Sequence, residues 1–400
     1  MRIVIIGAGQ GGAQAAATLR AEGLDGSLTI IGDEPYPPYQ RPPLSKAYLA
    51  GSFARERLFL KPDSFYAEAG CELRLGVAAQ RIDRAAKTVL LSDGSKLPYD
   101  RLLLATGSQV KKLPVPGADL AGIHYLRGIA DVDALRDNLK VGARLAVVGA
   151  GYIGLEVAAV AVKHGLRVSV IEAAERVMIR SASPQISAFY EQVHRANGVE
   201  FLFGAVATGF EGDTRVKAVA TNLGRVATDF VLAGIGIVPN CELAEAAGLT
   251  CDNGIVVDEY AVTSDPEIFA AGDCTSHPAL AGGRIRLESV QNAIDQAKHA
   301  ALSMLGRPTA YREVPWFWSD QYELKLQIAG LPRPGDATVV RGDPAVRKFA
   351  VFHVREGILA AVEAVNAAPE YIMGRKLIAA HARIAPERLA DINVPVKSLS

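Results

Sequence analysis

Cysteine is scarce in this 400-residue chain, which has four: Cys71, Cys241, Cys251 and Cys274. No two have the spacing of a redox-active dithiol, so a thiol relay is excluded and buried reduced thiols are expected. An excess of one charge is also missing, since 43 Lys and Arg balance 43 Asp and Glu. That balance argues against a general nucleic-acid or membrane-surface binder and leaves room for a local basic patch. No apolar run reaches the roughly 20 residues of a membrane-spanning helix. The seven histidines are scattered without metal-ligand spacing, and no metal is expected. A leader peptide is not expected either, because a strand at 2–6 runs straight into a glycine loop; a cytoplasmic location follows.

Half the residues are hydrophobic and 38 are glycine, the balance of an α/β chain with many tight strand-to-helix turns. The length suits two or three domains. Two glycine-rich loops carry most of the information. Gly7-Ala8-Gly9-Gln10-Gly11-Gly12 follows the apolar strand and precedes a helix over 13–21. A strand over 27–32 comes next and ends in Asp33-Glu34, about 20 residues past the last glycine. This is the full βαβ dinucleotide fingerprint. The glycines permit the tight turn and close approach to a pyrophosphate, the helix N-terminus supplies positive dipole, and the acid accepts from ribose hydroxyls.

Gly149-Ala150-Gly151-Tyr152-Ile153-Gly154 has the same surroundings: a strand over 144–148 before it, a helix over 153–164 after it, and a strand over 168–171 ending in Glu172. A carboxylate there suits the 2′-hydroxyl of NAD and repels the 2′-phosphate of NADP, so NADH is favoured. Arg176 and Arg180 are nearby cations that could soften that preference. Two such loops imply two dinucleotides brought together, and hydride transfer between a nicotinamide and a flavin is the usual reason. Further segments bear on which loop takes which. Residues 263–274 read as a buried strand ending in Gly272-Asp273, where the carboxylate can accept from a ribityl hydroxyl of a flavin. Leu102-Leu103-Leu104-Ala105-Thr106-Gly107-Ser108 reads as an apolar strand ending in small residues.

Three more segments sharpen the picture: Pro38-Tyr39-Gln40-Arg41-Pro42-Pro43-Leu44-Ser45-Lys46, Leu58-Phe59-Leu60-Lys61-Pro62 and Pro315-Trp316-Phe317-Trp318-Ser319-Asp320-Gln321. With them the chain resembles, end to end, the two-dinucleotide flavoprotein reductases of the glutathione-reductase fold. Within that group it closely resembles the oxygenase-coupled NADH-dependent ferredoxin reductases, the putidaredoxin reductase and rubredoxin reductase type. Disulfide reductases of this fold place a redox cysteine in the region 41–45, where this chain has none.

The resemblance implies an α/β fold with two Rossmann-like dinucleotide-binding domains, for FAD and NAD, plus a C-terminal α+β domain. It implies FAD contacts from Gly7, Gly9, Gly11, Gly12, Asp33, Glu34, Arg41, Pro42, Lys46, Ala79, Arg127, Asp273, Val290 and Trp318. The NADH side is expected from Gly149, Gly151, Tyr152, Ile153, Gly154, Glu156, Glu172, Arg180 and Gly236. Lys46 near flavin N5 would stabilise negative charge that develops on reduction, and pairing with Glu156 would compensate the buried ammonium. These two are the expected catalytic residues.

The FAD domain is expected over 1–110 and 238–315, the inserted NAD domain over 111–237, and the C-terminal domain over 316–400. Pro114-Val115-Pro116-Gly117 marks the outward crossing and the segment 234–240 the return. Strands near 324–329, 337–341, 348–354 and 358–365, then a helix near 369–382, read as a small domain covering the flavin. The implied enzyme is an NADH:ferredoxin oxidoreductase that passes single electrons to a [2Fe–2S] ferredoxin serving a cytochrome P450 or an aromatic-ring dioxygenase. An acidic partner calls for a basic face, with Arg284, Arg286, Arg307, Arg312 and Arg333 as candidates. The alternatives are an NADH oxidase, a rubredoxin or nitrite-reductase component, and a redox switch resembling apoptosis-inducing factor. The last typically carries long basic inserts or targeting sequences, which are missing here. No nucleic-acid or membrane partner is expected, and the oligomeric state stays open between monomer and weak dimer.

Overall fold

Short runs of branched apolar residues, bounded by glycine, are the raw material of parallel strands buried on both faces. In a computed structural model, which describes residues 1–280 and 282–399, Ile3–Ile6 and Leu28–Gly32 are such strands, buried throughout. They belong to a first compact unit made of Met1–Gln40, Arg55–Gln109 and Ile237–Pro315. Its five-stranded parallel sheet runs Ile268–Ala270, Arg101–Leu104, Ile3–Ile6, Leu28–Gly32, Cys71–Leu75. Alternation along the strands divides the core in two. Ile3 and Ile5 point to a layer built from helices Gln10–Ala21 and Val290–Met304, where Ala15, Ala16, Ala297, Ala300 and Ala301 let the helices approach closely. Val4 and Ile6 point the other way, towards Val89, Leu91 and Tyr99.

The first helix begins at Gln10 rather than at the expected 13. Gly11 and Gly12 thus lie in its first turn, where the loop and the packing override their poor helix propensity. The strand expected across 263–274 is only Ile268–Ala270. Residues before it turn back instead, with Thr263 donating its backbone N–H to the Ile268 carbonyl.

The second unit comprises Arg41–Ala54, Val110–Gly236 and the chain from Trp316 onward. It repeats the architecture with a parallel sheet in the order Glu200–Phe203, Arg167–Glu172, Arg144–Val148, Phe230–Ala233, Ile123–His124. In both units the strand that feeds the glycine loop has the next strand on one side and a later strand on the other. That is the topological switch point at which open α/β sheets bind ligands.

From Trp316 the chain forms an antiparallel five-stranded sheet, ordered Trp316–Gln321, Leu324–Gly330, Ile358–Val365, Lys348–Arg355, Ala337–Asp343. Helix Ala368–Ala379 packs on it so closely that a Cβ on Gly374 would lie 2.5 Å from Val362. Within this unit Tyr152 lies against Phe317 (ring centroids 4.6 Å apart) and Phe189 against Phe349 (5.0 Å). A polar anchor joins the same elements. Buried Glu363 accepts the backbone N–H of Ser183, the N-cap of helix Pro184–Ala196, at 3.0 Å and lies 2.8 Å from His353 Nε2.

Candidate functional site

The first glycine loop is shaped by contacts only glycine allows. Gly7 has φ +119°, and a Cβ there would lie 2.1 Å from the Ala105 carbonyl oxygen. One on Gly12 would lie 2.0 Å from the Gly7 oxygen, whereas one on Gly9 would meet open space. The second loop repeats this: a Cβ on Gly149 would lie 2.5 Å from the Gly234 oxygen, one on Gly154 2.3 Å from the Gly149 oxygen, and one on Gly151 would meet nothing. In each loop, then, two glycines close the turn and one presents bare backbone.

Both following helices, Gln10–Ala21 and Tyr152–Lys163, lack a side-chain cap and have no acid in the first turn. Helices Pro184–Ala196 and Val290–Met304, by contrast, are capped by Ser183 and Ser289. Uncapped first-turn N–H groups beside bare backbone suit an anionic ligand, so the residues present fit the pyrophosphates of two dinucleotides.

On the first unit Asp33 is exposed at the end of its strand and accepts the Glu34 backbone N–H at 3.1 Å. Glu34 itself accepts the Tyr39 hydroxyl at 2.5 Å. Ala79 opens the antiparallel strand Ala79–Asp83. Asp273 accepts from Ser108 Oγ at 3.0 Å, just after Gly272, whose N–H is held by buried Gln296 at 2.8 Å. Val290 is the first residue of its helix, and Gly11 lies against the same helix near the Ala293 carbonyl.

On the second unit Glu172 ends strand Arg167–Glu172 and bridges the loop, accepting Ala150 N–H at 2.6 Å and Ala174 N–H at 2.8 Å. Arg180 is exposed and lies over Gly236, where a Cβ would sit 3.4 Å from its guanidinium. Arg176 instead donates to the Ala182 carbonyl at 2.9 Å and to Ser187 Oγ at 2.5 Å. Ile153 is exposed at the helix start, while Tyr152 contacts Phe317.

The second unit also carries the charge pair. Pro42–Ser45 form a short 3-10 turn that Lys46 terminates, and Lys46 Nζ lies 2.8 Å from Glu156 Oε2 and 3.3 Å from the Pro42 carbonyl. Ser45, in the region where dithiol relatives carry a redox cysteine, donates to Glu156 Oε2 at 2.5 Å. Ser319 donates to Glu156 Oε1 at 2.6 Å. Sequence reasoning overlooked both serines as partners of Glu156, although each lies inside a quoted motif. Arg41 donates to the Arg127 carbonyl at 2.7 Å. Trp318 pairs with Trp316, ring centroids 5.7 Å apart, on strand Trp316–Gln321.

Burial pushes all four thiols up, Cys71 to about 11 and Cys241, with neighbouring Cys251, to about 12, and Cys251 and Cys274 are also shifted upward. Among the described residues no group of three or more His, Cys, Asp or Glu could hold a metal ion, and no helix is long and apolar enough to cross a membrane. Of the proposed docking arginines, Arg307 pairs with Glu22 (3.0 Å), Arg312 with Glu259 (3.0 Å) and Arg286 with Glu288 (2.5 Å). Arg284, though exposed, donates to the Val257 carbonyl at 2.6 Å.

Residues 1–297 match the family described as pyridine nucleotide-disulphide oxidoreductase, and residues 316–400 match the reductase C-terminal family. The chain is 47% identical over 400 residues to rhodocoxin reductase of Rhodococcus erythropolis, covering 99% of this chain and 94% of that protein. Its fold is similar to putidaredoxin reductase in the covalent putidaredoxin reductase–putidaredoxin complex, with TM-score 0.96, 42% identity, and 100% and 97% of the two chains covered. It is equally similar to the ferredoxin reductase for the CYP199A2 system of Rhodopseudomonas palustris, with TM-score 0.97, 39% identity and full coverage of both chains.

Proposed function

Because the chain belongs to the pyridine nucleotide-disulphide oxidoreductase family, with its reductase C-terminal domain in place, we propose that it is an FAD-dependent NADH:ferredoxin oxidoreductase. The carrying observation is the pair of matched glycine loops combined with a buried Lys46–Glu156 ion pair that has serine, not cysteine, beside it. The relatives named above reduce or assemble with rhodocoxin, putidaredoxin or a P450-system ferredoxin by their names. A [2Fe–2S] ferredoxin serving a P450 or ring-hydroxylating dioxygenase is accordingly the electron acceptor proposed here. We assign residues 1–110 and 238–315 to FAD, 111–237 to NADH and 316–400 to the C-terminal domain, and place the enzyme in the cytoplasm.

Gly9, Asp33, Asp273 and Val290 would hold FAD on the first unit, and Gly151, Glu172 and Arg180 would hold NADH on the second. FAD bound there would supply the chemistry that couples two-electron oxidation of NADH to one-electron reduction of an iron–sulfur acceptor. Lys46 would supply positive charge to that chemistry, and Glu156, Ser45 and Ser319 keep the ammonium compensated and in place. The four cysteines are free thiols, so no disulfide of this chain competes for the electrons.

The test is reduction of cytochrome c by NADH with and without a [2Fe–2S] ferredoxin. Strong stimulation by at least one ferredoxin is expected. Oxygen consumption that no ferredoxin alters, or NADH-driven dimerisation with slow turnover, would overturn the proposal in favour of an oxidase or a switch. Glu172→Ala should narrow the NADH over NADPH preference about tenfold, the value of one charge-assisted hydrogen bond. An unchanged ratio of kcat/KM for the two nucleotides would remove Glu172 from the specificity role.

A further inference from the structure

Glu156 is the terminus of a hydrogen-bond chain in which every donor has one possible direction. Paired with Lys46, it is a carboxylate and can only accept. The hydroxyl hydrogen of Ser319 must therefore point to Oε1, at 2.6 Å. Ser319 Oγ is left to accept, and Gln321 Nε2 donates to it at 3.2 Å. That turns the amide oxygen of Gln321 towards His194 Nε2, at 2.8 Å, so this ring nitrogen carries the proton. Burial pushes the His194 imidazole down to about 4, which keeps the ring neutral and Nδ1 bare. Tyr322 donates its hydroxyl to Nδ1 at 3.0 Å. Ser319 and Gln321 share one face of strand Trp316–Gln321, and both are buried, as are His194 and Glu156.

We propose that Ser319, Gln321 and His194 are positioning residues that hold Glu156 against Lys46 through this one-way chain, and that the tautomer of His194 is set by the charge of Glu156. The proposal rests on the reading of Lys46 and Glu156 given above. Its sharpest consequence concerns Glu156→Gln. Lys46 and Ser45 both donate to the Oε2 position, so the amide oxygen of the new side chain must take that place and its NH₂ must face Ser319. Ser319 then donates to Gln321, the Gln321 amide flips, and His194 Nε2 has to accept. The ring proton moves to Nδ1 and is donated to Tyr322. No such reversal follows if the residues merely pack together.

The experiment is ¹⁵N-histidine NMR on the holoenzyme, with the His194 resonance identified by its loss in His194→Gln. Wild type is expected to show the Nε2–H tautomer and Glu156→Gln the Nδ1–H tautomer. A wild-type Nδ1–H tautomer, or no change in Glu156→Gln, overturns the chain. In parallel, anaerobic flavin reduction by NADH is expected to slow about tenfold in Ser319→Ala with KM unchanged, the effect of losing one hydrogen bond to a charged group, and by a smaller factor of about three in His194→Phe, which loses only a neutral hydrogen bond further along the chain. Ser319→Thr and His194→Gln keep the donor and should stay near wild type. A His194→Phe enzyme as fast as wild type refutes the positioning role. If NADH fails to reduce the wild-type flavin, the proposed function falls, while the tautomer response still decides the chain.

Discussion

Lys46→Met should slow NADH-driven flavin reduction about 100- to 1000-fold and leave KM for NADH within a few-fold, the usual effect of removing one preorganised charge from a reacting centre. The ammonium is four-fifths buried and lies 2.8 Å from Glu156. Burial raises the strength of its field, and the 3-10 turn Pro42–Ser45 leaves it little freedom to reorganise. Removing it alone also strands a buried carboxylate, which is destabilising in its own right. The double variant Lys46→Met/Glu156→Gln separates the two effects: it should fold better than Lys46→Met yet remain as slow. Lys46→Arg keeps the charge but not the point geometry and should fall between. Stopped-flow measurement on the flavin-loaded protein decides, and a loss below tenfold would take Lys46 out of the catalytic role.

Glu363→Leu should destabilise the second unit by about 3–5 kcal/mol, because it removes one partner from a buried charged network. Glu363 is fully buried and serves two groups, accepting Ser183 N–H at 3.0 Å and pairing with His353 Nε2 at 2.8 Å. His353 lies diagonally across the adjacent strand, since Val351 is directly opposite Glu363. Ser183 opens helix Pro184–Ala196, so the carboxylate also meets the positive end of that helix. Leucine fills the volume but leaves the N–H and the imidazole buried without a partner. Glutamine can still accept from Ser183 and should cost far less. The thermal midpoint is expected to drop by roughly 6–20 °C for the leucine variant. Equal midpoints for leucine and glutamine would show that packing, not the hydrogen bonds, holds these elements.

The parts of the site legible in the sequence are those whose chemistry is local. Each glycine loop, its flanking strand and helix, and the acid that closes the motif lie within about 30 residues, the span of one βαβ unit. Loop shape follows from residues that lack a Cβ, and that property is readable in one letter. The same holds for the buried parallel strands, whose unbroken apolar runs announce them. The helix start at Gln10 and the shortened strand Ile268–Ala270 differ from expectation because packing and turn hydrogen bonds outweigh propensity at element ends.

The partners of Glu156 were legible in a different degree. Its pairing with Lys46 came through family resemblance. Ser45, Ser319 and the Gln321–His194 contact lie 111, 163 and 127 residues from their partners and carry no local pattern. The docking arginines show the converse. Their charge is visible in the sequence, but only the fold reveals that Arg286, Arg307 and Arg312 already face acids and that exposed Arg284 donates to a backbone carbonyl.

The sequence by itself therefore determined that two dinucleotides bind and that no thiol stands beside Lys46, since both depend on which residue types occupy a short segment. The tertiary structure decided how the ammonium is held. A buried charge must find its compensating groups in three dimensions, and this chain draws them from a 3-10 turn, a helix and a distant antiparallel strand that only folding brings together.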